Sequence, residues 1–239
     1  MPNGDPFLPS TGGFRFANLF PGYPLPFNLS SLPGLPPVSA TYGLCGGMSA
    51  AAYDFLLAQR PIPQTTQVPA QGSPLQRYLF ERQSRSLGRL GDQVLRFVEW
   101  MALPDGTRFG TQKRAYDEFR AIRVRIDRGE CVPIGLVYVS ARDTLRVWEN
   151  HQVLAYGYEE VGPTTTHLAI YDCNAPLDDS AVVVAEQVDL GSSLILDPLP
   201  RWVPAMGLRC AEHLAGVPPR DVRGFFAMPY EAVAPPQGL

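Results

Sequence analysis

A cysteine becomes a nucleophile where its surroundings favour the thiolate, and Cys45 stands where that is expected. It follows Tyr42-Gly43-Leu44 and opens the run CGGMSAAAYDFLLAQ. There Met48, Ala51, Ala52, Phe55 and Leu56 fall at helical spacing before Pro61 stops the pattern. Unpaired N–H groups and the dipole at a helix N-terminus stabilise a thiolate. Gly46 and Gly47 leave the first turn bare, so a substrate carbonyl can approach closely with N–H donors facing its developing oxyanion. Gly46 is therefore a candidate oxyanion residue. The same pattern also suits a small buried cysteine beside glycines that permit tight packing.

A thiolate nucleophile needs a base to manage its proton, and the base needs a third group on its other ring nitrogen. The chain has three histidines. His151, preceded by Asn150, heads the strand-like HQVLAYGYEE; His167 lies inside a later strand, and His213 falls in an irregular C-terminal part. His151 is the candidate base, and a strand histidine hydrogen-bonded for structural reasons is the competing reading.

Three blocks in order, YGLCGGMSAAAYDF, NHQVLAYGYEE and LAIYDCNAP, resemble the Cys, His and Asp/Asn blocks of the papain-like cysteine peptidase superfamily. The Asp-x-Asn spacing is closer to its bacteriocin-processing branch. The chain is also similar to uncharacterised bacterial papain-like proteins with a Pro-rich arm and a Cys-Gly-Gly-Met helix start. The resemblance implies Cys45 as nucleophile, His151 as base and Asp172 as the residue orienting His151. Asn174 is the alternative orienting residue, since its parity with Asp172 on an extended segment points both to one face. Cys173 stands where Pro is common, and Ser39 occupies the position of the Gln that papain places six residues before its nucleophile. The second oxyanion donor is then left to the arm, for example Asn28, or to a backbone amide.

Other chemistry is less well supported by spacing. Ser49 in Gly47-Met48-Ser49-Ala50-Ala51 lacks the preceding strand and second glycine of a nucleophile elbow. Cys210 and His213 have the spacing of half a zinc site without a second pair. Asp172, Asn174, Asp178 and Asp179 lack the glycine and distal Glu of a calcium loop. No metal or other cofactor is expected. Trp148, three residues before His151, is a candidate cleft wall.

The elements that must position these residues change character along the chain. Residues 1–40 form a Pro/Gly-rich arm with Phe14, Phe16, Phe20, Tyr23, Phe27 and Leu29, read as extended but ordered on the surface of a domain spanning 41–239. Helices are predicted from Cys45 to about Gln59, over Leu75–Leu87 and over Asp92–Leu103. A fourth runs from a Thr111 cap to about Arg128, although Ile122, Val124 and Ile126 also alternate as in a strand. Beyond Gly129 come short β-rich runs at 132–139, 151–158, 166–172, 181–188 and 222–228. Helices first and strands second predict an α+β, papain-like fold: an N-terminal helical part carrying the Cys45 helix, then an antiparallel sheet.

The 239 residues are 45% hydrophobic and 18% charged, enough to bury a large core. A net charge of -3 with no basic block argues against nucleic-acid or anionic-membrane partners. No stretch approaches the roughly 20 apolar residues of a membrane span. The start MPNGDPFLPS has no export signal, so a reduced cytoplasmic protein, or one exported by a signal-independent route, is expected. The expected function is a thiol hydrolase cleaving an amide, by default peptide, bond through an acyl-enzyme, with a peptide or protein substrate as partner. The same apparatus serves amidases, deamidases and acyl transferases, and a toxin-like effector could use it. A non-catalytic binding or cargo module on the same fold is the competing class. Residues 1–40 are either an inhibitory segment or a structural arm, and the oligomeric state stays open.

Overall fold

Continuous burial over residues 132–137 and 151–155, and helical spacing in the earlier half, give a mixed fold whose sheet carries apolar residues on both faces. The computed structural model describes residues 7–22, 41–88, 91–140, 146–195 and 201–239. Along these, in order, come α1 (Pro9–Gly12), β1 (Phe20–Pro21), β2 (Thr41–Tyr42), α2 (Cys45–Leu57), α3 (Pro74–Ser86), α4 (Asp92–Ala102) and α5 (Thr111–Asp127). Then follow β3 (Val132–Val137), β4 (His151–Glu160), β5 (Thr165–Tyr171), β6 (Val182–Ile195), β7 (Arg201–His213), β8 (Arg220–Val222) and β9 (Gly224–Ala227). β1 pairs with β2, and the others form one antiparallel sheet in the order β8-β7-β6-β5-β4-β3-β9.

The sheet curls, so that α5 touches β7 towards one edge and β9 at the other. Val153 and Ala155 of β4, Leu168 and Ile170 of β5, and Leu208 and Cys210 of β7 share one core with Phe119 and Ile122 of α5. The opposite parity, Leu154, Tyr171 and Cys173, joins a second core with α2, α3 and the arm. Phe7, Phe14, Phe16 and Phe20 are all buried in that second core, and the Phe14 N–H donates to the Tyr171 hydroxyl at 3.1 Å. Residues 7–22 thus add apolar mass, with one helical turn among them. Tyr23, Phe27, Asn28 and Leu29 lie outside the described residues.

Two sequence expectations need correction. His213, read as lying near an irregular C-terminal part, ends a regular strand: residues 201–213 form β7, the partner of β6 in a long hairpin. Thr111 does not cap α5: it is the buried first residue of the helix, and its hydroxyl donates to Asp105 at 2.9 Å. The alternation at 122–126 is resolved as helix, because Ala115, Phe119 and Ile122 supply one buried stripe. Among the described residues no helix is long and apolar enough to cross a membrane.

Candidate active site

Antiparallel pairing brings the start of β4 beside the end of β5. Leu154 pairs with Tyr171, so continuing the register sets Asp172 opposite Val153, two residues from His151 and on the same side of the sheet. His151 and Asp172 therefore point into the curl. His151 Nε2 lies 2.7 Å from Asp172 Oδ1, and both residues are buried. The Asn174 backbone N–H donates to the same carboxylate oxygen at 2.7 Å, while its side-chain amide nitrogen lies 3.2 Å from His151 Nε2. The chain turns after Asp172, so Asn174 supports Asp172 rather than replacing it; the shorter contact is the carboxylate's.

Cys45 is the first residue of α2, partly buried, and shares a hydrogen bond with the His151 ring. Because Asp172 occupies Nε2, Nδ1 is the ring nitrogen left for the thiol. Burial alone would raise the Cys45 pKa, but the His151 hydrogen bond and charge and the backbone N–H groups of Gln152 and Gly46 outweigh it, and the thiol is lowered. Burial opposes charging His151, yet Asp172 and Cys45 hold its pKa well above the ordinary imidazole value. Burial likewise opposes charging Asp172, and His151 and the Asn174 N–H bring it below the ordinary carboxylate range. Cys131 and Cys210 behave oppositely, pushed by burial to about 12. Cys173 is raised well above an ordinary thiol by burial and by the Asp172 charge. Of the four cysteines, Cys45 is set apart.

The start of α2 accounts for its own amide groups. Leu44 N–H donates to Asn18 Oδ1 at 2.5 Å, and Gly47 N–H to Gln83 Oε1 at 2.9 Å. Among the described residues no protein group accepts from Cys45 N–H, and Gly46 N–H faces the sulfur. The Cys45 amide remains for an incoming oxyanion, and the Gly46 amide can turn to it once the sulfur gives up its charge in the attack. Gly46 and Gly47 serve packing more than openness: a Cβ on Gly47 would lie 2.1 Å from the Leu79 carbonyl of α3. One on Gly46 would lie 2.2 Å from Gln152 Oε1 and 2.5 Å from Ser86 Oγ. The glycine pair permits tight packing, and this is compatible with a thiolate at Cys45.

A cleft of about 730 Å³ opens over Cys45 and His151. Tyr42, Leu44, Phe80, Leu87, Val94 and Phe97 give it apolar walls; Asn18, Gln83, Glu149 and Arg220 give it polar ones. Trp148 lines it and is 74% exposed at its edge. Asn150 fixes the approach to His151, its Oδ1 accepting from the Tyr138 N–H at 3.0 Å and its Nδ2 donating to the Val147 carbonyl at 3.0 Å.

Donor atoms of His151, Asp172 and Cys173 lie within 4.8 Å of one another. His151 and Asp172 are hydrogen-bonded to each other rather than arranged about a common centre, so the group is compatible with a triad. Ser49 donates to the Gln152 carbonyl at 3.3 Å and ties α2 to β4. Asp178 and Asp179 accept from Ser180, Ala215 and Ser10. Cys210 points into the sheet core.

Sequence reasoning missed Asn18, Gln83, Gln152 and Glu212. Asn18 accepts from Leu44 N–H, and its own N–H donates to the Cys173 carbonyl at 3.1 Å, so it clamps the arm to both halves of the site. Its only sequence signal was an amide within an aromatic-rich segment. No family model, no curated protein and no solved structure matches this chain.

Proposed function

We propose that this chain is a papain-like thiol hydrolase that cleaves an amide bond, by default in a peptide, through an acyl-enzyme. The observation that carries the reading is the chain of contacts from Cys45 to His151 to Asp172 at the mouth of a cleft, with the thiol lowered and the imidazole raised. A thiolate–imidazolium pair supplies nucleophile and acid together.

In this mechanism the Cys45 sulfur attacks the carbonyl carbon, and the oxyanion is met by the amides of Cys45 and Gly46. His151 gives its proton to the leaving nitrogen as the C–N bond breaks, leaving a thioester. Water then adds with His151 as general base, and thiolate leaves. Asp172 holds the ring throughout and offsets its positive charge whenever it carries the proton. The apolar walls from Phe80, Leu87 and Val94 favour a substrate with an apolar side chain beside the scissile bond.

The test is a panel of short peptide amides and thioesters with apolar or acidic side chains, quenched in acid and mapped by mass spectrometry. The expected result is an acyl adduct on Cys45 from apolar members, absent in Cys45→Ala. A panel in which nothing acylates Cys45 contradicts the reading.

A further inference from the structure

Behind Asp172, away from Cys45, lies a second buried carboxyl group that the mechanism does not use. Glu212 is on β7 and 5% exposed, with the parity of Cys210 and Leu208, so it points into the same end of the curl as His151 and Asp172. Its Oε2 accepts from the Tyr138 hydroxyl at 2.7 Å. Its Oε1 is buried with no donor directed at it, although it belongs to a group in hydrogen-bond contact with the Asp172 carboxyl. Two ionised carboxylates cannot hydrogen-bond to each other, and an orphaned buried carboxylate oxygen is costly. Both observations are satisfied at once by one proton.

We propose that Glu212 is a neutral carboxylic acid that donates its proton to the Asp172 carboxylate and so positions Asp172 against His151. The orphan oxygen becomes a donor, Tyr138 satisfies the other oxygen, and Asp172 gains a third donor beside His151 and the Asn174 N–H. Among the groups facing Glu212, the Tyr138 hydroxyl and the positive His151 favour its charged form, and burial and Asp172 outweigh them. Asp172 disfavours a second negative charge, Cys173 beside it carries none, and the positive His151 lies beyond Asp172. The Arg220 guanidinium lies over the Tyr138 ring, 3.6 Å from its centroid, and holds the phenol in place. Burial and the Asp172 charge both raise the Glu212 pKa, in the direction the proton requires. Glu212 is a positioning residue, acting on substrate only through Asp172 and His151.

This inference rests on the hydrolase reading for its purpose but not for its chemistry, so two readouts separate them. Infrared difference spectra of the whole protein at neutral pH, wild type against Glu212→Gln, should show a protonated-carboxyl band that the variant lacks and that fades as pH is raised. Cys45 alkylation at pH 6.5 should fall about tenfold in Glu212→Leu and be restored in Glu212→Gln, whose amide can still donate to Asp172 and accept from Tyr138. Absence of the band, or a Glu212→Gln variant in which the thiol pKa moves as if a negative charge had been removed, overturns the proposal. If the band is present and His151→Ala leaves Cys45 alkylation unchanged, the neutral Glu212 stands and the hydrolase reading falls.

Discussion

Asp54 and Asp172 are both buried carboxylates, each 1% exposed, and each gathers several segments of the chain. Asp54 accepts from the Tyr78 hydroxyl at 2.7 Å, the Tyr230 hydroxyl at 2.7 Å and the Val233 N–H at 3.0 Å, and pairs with Arg82 Nε at 2.7 Å. Arg82 is always charged and also donates to the Glu231 carbonyl, so the hub pins the C-terminal tail to α2 and α3. Asp172 instead sits between His151 and Glu212, two titratable groups whose pKa values are both raised, His151 by the charges and hydrogen bonds of Asp172 and Cys45 against its burial, Glu212 by burial and the Asp172 charge. A carboxylate surrounded by permanent donors can only hold. One placed between titratable partners can take part in moving protons, and that difference marks the candidate site.

The comparison breaks most sharply under substitution by the isosteric amide. Asp54→Asn leaves the buried Arg82 without a counter-charge, and its cost in chemical denaturation should be about 3–5 kcal/mol, the range for breaking one partner of a buried pair. Asp172→Asn should cost only about 1 kcal/mol in the same measurement, because the shape and one acceptor survive. Its effect belongs to reactivity: without the negative charge the imidazolium is less favoured and the thiol moves back up. Cys45 alkylation at pH 6.5 should therefore drop about tenfold, the loss expected when the thiol pKa comes to lie about one unit above the assay pH. If Asp172→Asn unfolds the protein as Asp54→Asn does, both carboxylates are structural and the contrast is lost.

Smaller effects sharpen the picture. Asn18→Ala removes the acceptor for Leu44 N–H at the start of α2, and a loss of about 1 kcal/mol in thermal unfolding is expected, in the range of a helix-cap deletion. Arg85→Ala deletes an exposed i,i+4 pair with Glu81, whose side chains are 50% and 59% exposed, and should change stability by no more than about 0.5 kcal/mol.

The parts of this site legible in sequence are those written in local pattern. Cys45 announced a helix start because Gly and apolar residues follow it at helical spacing, and the helix begins at Cys45. His151 headed a β-rich run whose first five residues are all buried, and antiparallel pairing then brought Asp172 to it. Glu212 was invisible because its own strand was: Pro204 and Gly207 interrupt RWVPAMGLRCAEH, and only pairing with β6 makes it a strand. Its contact with Asp172 depends on the curl of the sheet, which no local spacing encodes. Asn18 was equally hidden, since its role comes from where the arm crosses the end of β5, far along the chain.

The central claim is a thiolate held by His151, and the pH–rate profile of Cys45 alkylation by iodoacetamide, with labelled sites mapped, tests it most directly. The rate should rise through the depressed thiol pKa, hold a plateau while His151 keeps its proton, and change again only as the imidazolium deprotonates at its raised pKa. An ordinary thiol with a pKa near 8.5 is only about 1% thiolate at pH 6.5, so wild type should react there on the order of 100-fold faster than His151→Ala. A wild-type Cys45 that titrates like an ordinary thiol, or a His151→Ala variant with the same profile, would contradict the account.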